Sequence, residues 1–358
     1  MNLSFRRTAI VTDTATVKLL FFRLIAGGCA IGLLGLASCD RTASSAVKAQ
    51  PTSTPQATAP TPKTSSPDPS WLRLGLPIQC QLNRDCFVMQ YVDRDPDENE
   101  AIDFACGQST YDKHSGTDFA IPDEQAMTQG VNAIASADGT VLRVRDGVED
   151  RRLKTDAEVE QMRQSQIECG NGLVVDHGNG WETQYCHLRQ GSIQVQAGSP
   201  VKKGDVVGQV GLSGLTQFPH VHLSVRYQGQ EVDPFVGPTA EAGCEVIPRP
   251  IWEQSIAYKP TGLVRAGFAT EQPTFDALWE GRFAEIQLAK DIPALIFWVF
   301  SHGVQTGDIE QYRLIDPSGK EFLKQESPVN SNSRIWVSYA GKRNTAERPI
   351  ALGTWRGE

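Results

Sequence analysis

The stretch of residues 208–227, GQVGLSGLTQFPHVHLSVRY, constrains the fold more than any other part of the chain. After Pro219, polar side chains occupy every second position and apolar side chains occupy the positions between them. Because side chains of a strand point alternately to opposite faces, this pattern predicts a strand with one buried face. His220 and His222 therefore project from the same face, and a glycine-rich turn leads the chain into them. Two imidazoles held side by side indicate a metal site whose other ligands come from elsewhere.

The second half of the predicted site begins at another of the six histidines. His114 opens the segment HSGTD, which ends at Asp118. Gly116 and Thr117 disfavour a regular helix, so a turn that runs into a strand is expected to direct both side chains to one point. Hydrolytic zinc sites use three ligands drawn from histidine and carboxylate, and leave the fourth position to water. His114, Asp118 and one of the paired histidines complete such a set, so one Zn²⁺ per chain is the predicted cofactor.

Three motifs in this order resemble the LytM/lysostaphin-type zinc metallopeptidases, which cut peptide cross-bridges in bacterial peptidoglycan. They are the H-x-x-x-D segment, the Y-x-H-L segment at residues 185–188 and the H-x-H pair after its glycine-rich turn. The segments GNG-x-V-V-x-H-G-x-G and V-K-K-G-D-x-V-G lie between them. The resemblance covers residues 105–235 and predicts an antiparallel β-sheet peptidase domain there.

The resemblance also implies a role for each site residue. His114, Asp118 and His222 would be the zinc ligands, and His187 and His220 would be the catalytic histidines. One of these two would act as general base while the other stabilises the tetrahedral oxyanion, and we favour His187 as the base. The implied activity is zinc-dependent endopeptidase cleavage of peptidoglycan cross-links, as a DD-endopeptidase if the links join D-Ala to diaminopimelate.

Two other functions stay open at this point. A catalytically weak domain of the same fold would recruit or activate other cell-wall hydrolases, although degenerate members usually lack one or more of the five site residues, and all five are present here. In the other alternative the C-terminal part dominates, and the protein is a scaffold for wall or envelope partners. The formal net charge of −8 argues against a nucleic-acid partner, because phosphate binding needs a basic surface.

Residues 1–39 are predicted to be a signal peptide with a lipobox. The apolar run at 24–38 is short for a transmembrane helix and ends just before Cys39. Its last residues resemble the lipobox of bacterial lipoproteins, in which cleavage before the cysteine leaves it diacylated. An uncleaved anchor and plain secretion are the alternatives. Asp40 resembles a signal for inner-membrane retention, so the expected location is the membrane surface that faces the periplasm.

Three further segments follow the lipobox. Residues 40–70 are rich in Pro, Ser and Thr, which predicts a disordered tether. Residues 71–248 are expected to form the mainly β peptidase domain. In residues 249–358, apolar β-rich runs separated by turns predict a small β-sandwich-like domain of unknown role. His302 in this part is expected to be a loop or packing residue, and His177 a residue of a hairpin turn.

Six cysteines remain after the lipobox, and an even number in an exported chain predicts disulfides. Two pairs are suggested by local geometry, since one pair flanks a predicted hairpin and the other is close in sequence. The alternative is a second, cysteine-based zinc site, but no C-x-x-C pair is present. The hypothesis is therefore Cys169–Cys186 and Cys80–Cys86, with Cys106–Cys244 left by elimination.

Overall fold

Strands make up most of the regular structure, because short apolar runs alternate with turns that contain glycine or proline. The computed structural model describes residues 7–12, 71–238 and 240–358, and these belong to one compact unit. With 40% of residues in strands and 7% in helices, the predicted mainly β fold is confirmed. Cys39, the predicted tether at 40–70 and the leader beyond residue 12 lie outside the described residues. Among the described helices, none is both long and apolar enough to span a membrane.

The first part of the chain contains short strands and two helices. Helix α2 falls in the charged segment 146–168, where Thr155 and Glu158 form a capping box at its start. The elements are, in order, β1 (Arg7–Thr12), β2 (Phe87–Gln90), β3 (Thr117–Ala120), α1 (Glu124–Gln129), β4 (Asn132–Ile134), β5 (Gly139–Arg145), α2 (Asp156–Gln164), β6 (Asn171–Gly178), β7 (Trp181–Leu188), β8 (Pro200–Val201), β9 (Val206–Gln209), β10 (His220–Tyr227) and β11 (Gln230–Glu231).

An antiparallel sheet with the order β2-β3-β10-β7-β6-β5-β8 forms the frame of this part. Strand β10 lies between β3 and β7, so that His222 is opposite Asp118 on one side and Cys186 on the other. The apolar side chains of β10 are buried in the core, as its alternating pattern predicts. The polar face of β10 is consequently the face that carries both histidines.

The last hundred residues, together with β1, form two further sheets. One is the antiparallel sheet β12-β14-β17, and the other has the order β13-β1-β18-β15-β16. Both contribute to a single apolar cluster, which confirms the predicted sandwich-like arrangement. The elements are β12 (Gly262–Ala269), α3 (Phe275–Trp279), β13 (Gln287–Ala289), β14 (Ala294–Val304), β15 (Ile309–Ile315), β16 (Glu321–Pro328), β17 (Ser333–Arg343) and β18 (Gly353–Gly357).

Strand β1 lies within residues 1–39, which the sequence predicts to be a signal peptide. It pairs with β13 on one side and β18 on the other, and Ala9 is buried in the cluster between the two sheets. A chain cleaved before Cys39 would lack this strand, and β18 would then lie at a sheet edge. Near the predicted domain boundary, Ile251 and Trp252 pack into the core of the first part, although the sequence placed them in the second.

The two parts are joined by apolar and ionic contacts. Phe87 and Phe218 share one cluster with Trp279 and Phe300 of the second part. Beside this cluster, Arg152 has a side chain that is only 7% exposed and forms ion pairs with Asp276 and Glu280 on or next to α3. A buried arginine with several carboxylate partners fixes one geometry, because leaving any of these charges unpaired is costly. The second part is therefore held firmly against the first.

Candidate metal centre and catalytic site

The structure brings the five predicted site residues together at one end of the central sheet. Asp118 lies on β3, His220 and His222 lie on β10, and His187 lies near the end of β7. His114 precedes β3 in a loop, as expected for a turn that runs into a strand. Antiparallel pairing of β3 with β10 places His222 opposite Asp118, and pairing of β10 with β7 brings His187 beside them.

Three side chains direct lone-pair atoms to one point. Asp118 Oδ1 lies 3.2 Å from His114 Nε2 and 2.9 Å from His222 Nδ1, and the two ring nitrogens are 3.2 Å apart. Tetrahedral zinc with bonds near 2.0–2.1 Å would separate its ligand atoms by about 3.3 Å, which is close to these distances. Three such atoms repel one another unless a proton or a cation lies between them. The donor set therefore fits a divalent metal ion.

A hydrogen bond from the ring nitrogen that faces away from Asp118 fixes the orientation of His114. Its Nδ1 lies 2.6 Å from the carbonyl oxygen of Tyr91. Since a carbonyl oxygen only accepts hydrogen bonds, Nδ1 carries the proton and Nε2 has the lone pair that faces Asp118. Metal-binding histidines are oriented by contacts of this kind. Tyr91 contributes through its backbone, so nothing in the sequence pattern identifies it.

Burial and neighbouring charges shift the pKa values of the predicted ligands in opposite directions. Burial lowers the pKa of His114, but the Asp118 carboxylate, the Tyr91 carbonyl and Asp93 together outweigh burial and raise this pKa overall. Burial also disfavours the charged form of Asp118, yet the charges of His114 and His220 hold its pKa well below the ordinary value. Burial lowers the pKa of His222. Asp118 is thus a carboxylate at neutral pH, and a bound metal would displace any proton shared with His114.

A second set of three side chains, His187, His220 and His222, could also hold a metal. This set has no carboxylate to balance the charge of the ion. In the set with His114 and Asp118, a carboxylate lies between the two ring nitrogens. The charge balance favours the predicted ligands, and leaves His187 and His220 beside the metal.

His187 and His220 border the ligand set, with ring centroids 4.7 Å apart. His187 Nδ1 lies 2.8 Å from the Ser213 carbonyl oxygen, and His220 Nδ1 lies 2.9 Å from the Phe218 carbonyl oxygen. Both Nδ1 atoms therefore donate, and both Nε2 atoms remain for chemistry. Burial, together with the charges of His220 and His222, holds the pKa of His187 well below its ordinary value. His187 is accordingly neutral near pH 7, which is the form that accepts a proton.

The backbone of His187 has a φ of 61°, in the left-handed region that is uncommon for residues other than glycine. Its N–H donates to the Cys169 carbonyl oxygen at 2.8 Å, and a disulfide joins Cys169 to Cys186, the residue before it. Asn171 of the GNG segment donates to the carbonyl oxygen of Leu188, the residue after it. The unusual conformation is therefore held from both sides.

The described residues contain three disulfides, and they join the pairs expected from the sequence. The bridge beside His187 takes up Cys186, so no thiol competes for the metal at that position. Of the other two, one closes a short loop just before β2, and the other joins the segment before β3 to the segment after β11. The three pairs are Cys80–Cys86, Cys106–Cys244 and Cys169–Cys186.

The two remaining histidines lie away from the five site residues. His177 is on β6, where its ring nitrogens lie 2.7 Å from the Asp138 carbonyl oxygen and 2.7 Å from Thr183 Oγ1. These contacts give it a structural role beside the hairpin. His302 lies on β14 and is only 3% exposed, so it is a packing residue. Burial lowers its pKa to about 4.

Gly116 has a role that its position in the HSGTD segment does not reveal. A β-carbon at this position would lie 2.4 Å from His222 Nε2 and 2.7 Å from the Leu223 carbonyl oxygen. Gly116→Ala should therefore displace His222 and weaken metal binding by about tenfold or more, as disturbed ligand orientation does elsewhere. Competition with a chromogenic chelator measures this affinity. Gly75→Ala, whose β-carbon meets nothing closer than 3.4 Å, is the matched control, and wild-type affinity in Gly116→Ala would contradict the steric argument.

The site lies in a cleft of about 810 Å³. Asp118, His187 and His220 line its floor together with Tyr111, whose ring packs against His114 with a centroid distance of 4.5 Å. Residues of the C-terminal part line another side of the cleft. A cleft of this size accommodates a peptide segment, and it gives a substrate direct access to the two catalytic candidates.

Comparison with known proteins gives a family for this part of the chain. Residues 112–234 match the model of peptidase family M23. DD-carboxypeptidase/endopeptidase Mpg of Neisseria meningitidis is 34% identical over 35% of this chain and 23% of its own length. Peptidoglycan DD-endopeptidase ShyA of Vibrio cholerae is 30% identical over 34% of this chain and 22% of its own. The chain thus spans less than a quarter of these relatives.

A solved structure of a zinc-containing peptidase from Vibrio cholerae is 25% identical, with a TM-score of 0.25, over 42% of this chain and 39% of that one. The matched segment 112–234 contains all five residues of the site described above. Residues 112–234 thus form a domain of peptidase family M23.

Proposed function

We propose that this protein is a zinc-dependent endopeptidase that hydrolyses peptide cross-links of bacterial peptidoglycan during cell-wall remodelling. The observation that carries the proposal is the convergence of His114, Asp118 and His222 on one point, with two further histidines beside it. Relatives named as DD-endopeptidases support a link between D-amino acids as the bond that is cut. Zinc is proposed because histidine and carboxylate are its usual ligands in hydrolytic sites.

The two catalytic histidines would have different roles in the proposed hydrolysis. A bound Zn²⁺ would supply a Lewis acid that activates water and polarises the scissile carbonyl. His187, neutral and with an accepting Nε2, would take the proton of the attacking water. His220 Nε2 lies 3.3 Å from Asp118 Oδ1, beside the position of the ion, and His220 would stabilise the oxyanion that forms there. The different surroundings of the two rings support His187 as the base.

The cellular context is a separate proposal that rests on the residue pattern. Export, cleavage before Cys39 and lipid attachment there would fix the protein to a membrane. Asp40 suggests the inner membrane, with the catalytic part facing the periplasm. The tether at 40–70 would let the domain reach the wall from that anchor.

The function predicts chelator-sensitive release of soluble muropeptides from purified peptidoglycan. Zinc-loaded protein should release them, excess chelator should stop the release, and added Zn²⁺ should restore it. Mass spectrometry of the products identifies the bond, and new D-Ala carboxyl ends would mark DD cleavage. A zinc-loaded protein that binds peptidoglycan and stimulates another hydrolase without cutting would instead favour the recruiting module.

A further inference from the structure

One wall of the cleft comes from outside the M23 domain. Residues 303–305 and 332–335, at the end of β14 and the start of β17, line the same cleft as His187 and His220. The family match ends at residue 234, so this wall is an addition of this chain to the matched domain. A substrate bound over the catalytic histidines must pass along it.

The wall is fixed against the segment that leads to His114. Asn332 Nδ2 donates to Gln108 Oε1 at 2.6 Å, and Arg334 approaches the carbonyl oxygen of Thr110 at 3.4 Å. The Arg334 guanidinium also lies 5.8 Å from the centre of the Tyr111 ring, which itself packs on His114. Arg334 is therefore held close to the metal site while its side chain stays exposed to the cleft.

The charge of the cleft is opposite to that of the chain. Its lining contains two arginines, Arg163 on α2 and Arg334, and its only carboxylate is Asp118, which belongs to the ligand set. Within the described residues, neither arginine forms an ion pair with an acidic side chain. In a chain with a net charge of −8, two arginines without acidic partners indicate a ligand that supplies the negative charge.

We infer that Arg334 binds a carboxylate of the substrate peptide, that Arg163 adds to the attraction, and that the C-terminal domain thereby takes part in substrate recognition. The inference rests on the proposed function. The guanidinium fork matches the two oxygens of a carboxylate, and peptides that contain diaminopimelate carry carboxylates outside their peptide bonds. Arg334 is in this view a specificity residue and takes no part in bond cleavage.

Two substrates test this role. One is a cross-linked muropeptide dimer with free carboxylates, and the other is the same dimer with its carboxylates amidated. With zinc-loaded protein, Arg334→Ala should raise KM for the free dimer about tenfold, the value of one charge-assisted hydrogen bond, with little change in kcat. KM for the amidated dimer should not change. Arg334→Lys should lie between wild type and Arg334→Ala, because it keeps the charge and loses the fork.

Lys324→Ala, which removes an exposed cation on β16 of the same domain, is the matched control and should behave as wild type on both dimers. An equal rise of KM on both dimers, with a lower unfolding temperature, would make Arg334 a structural contact with Thr110 and overturn the inference. An unchanged KM in Arg334→Ala would overturn it as well.

A binding measurement separates this inference from the proposed activity. Metal-loaded His187→Ala, which should not cleave, is titrated with both dimers by calorimetry, with and without Arg334→Ala. Tighter binding of the free dimer that is lost with Arg334→Ala supports the carboxylate role even if the wild type cleaves neither dimer. Absence of any Arg334-dependent difference overturns it even if the wild type cleaves both.

Discussion

Asp118→Ala is expected to empty the metal site and abolish peptide hydrolysis. The Asp118 oxygen lies 3.2 Å from His114 Nε2 and 2.9 Å from His222 Nδ1, and it is the only anionic member of the set. Without it the ion would be held by two neutral imidazoles in a buried place. Loss of an outer-shell partner alone costs a metal site about 10- to 100-fold in affinity, so loss of a ligand should cost at least about 100-fold. Metal analysis after dialysis against limiting Zn²⁺ measures the result.

His177→Ala is the matched control for this experiment, because it removes a partly buried polar contact of the same sheet without touching the site. It should retain one zinc per chain. Thermal unfolding gives an independent measure, since an ion that binds only the folded state raises its stability. Chelator should lower the unfolding temperature of the wild type and leave that of Asp118→Ala unchanged. A full complement of zinc in Asp118→Ala would place the ion among His187, His220 and His222 instead.

The paired histidines of β10 could be predicted from the sequence, because their shared face depends only on the two-residue alternation of side chains along a strand. The alternation after Pro219 places His220 and His222 on one face whatever lies beside the strand. Their separate roles depend on neighbours that are far away in the sequence. Pairing of β10 with β3 sets Asp118 opposite His222, and only the resemblance to known peptidases indicated this division in advance.

Other parts of the site have no signature in the sequence. The carbonyl oxygens of Tyr91, Ser213 and Phe218 orient three histidines, and any residue type supplies a carbonyl. The need for glycine at 116 comes from the approach of His222 across the sheet. Neither requirement is visible until the strands are paired.

The contribution of the C-terminal domain to the wall of the cleft could not be predicted from the sequence either. The sequence of the C-terminal domain shows no catalytic constellation, and a single arginine such as Arg334 is not a motif. Its place beside the metal site follows from the packing of Trp279 and Phe300 against Phe218, and from the ion pairs of Arg152 across the same interface. A function for this domain becomes visible only when that interface is known.

His187→Ala is expected to keep the zinc and to lower kcat by about 10²- to 10⁴-fold, the usual contribution of a general base. His187 stands outside the ligand set with His114 and Asp118, so the affinity for the ion should stay within a few-fold of wild type. Its low pKa makes it neutral at the pH where the chemistry would run. Metal content and single-turnover rates on a cross-linked dimer measure the two effects separately.

The conformation of His187 calls for a second variant. With φ at 61°, alanine at this position could lower activity through the backbone rather than through the missing ring. Asparagine enters the left-handed region more readily than most residues, so His187→Asn keeps the backbone and removes the base. Equal losses in both variants, with zinc retained, assign the effect to the imidazole. Loss of zinc in both variants would make His187 a ligand and move the general base to another side chain.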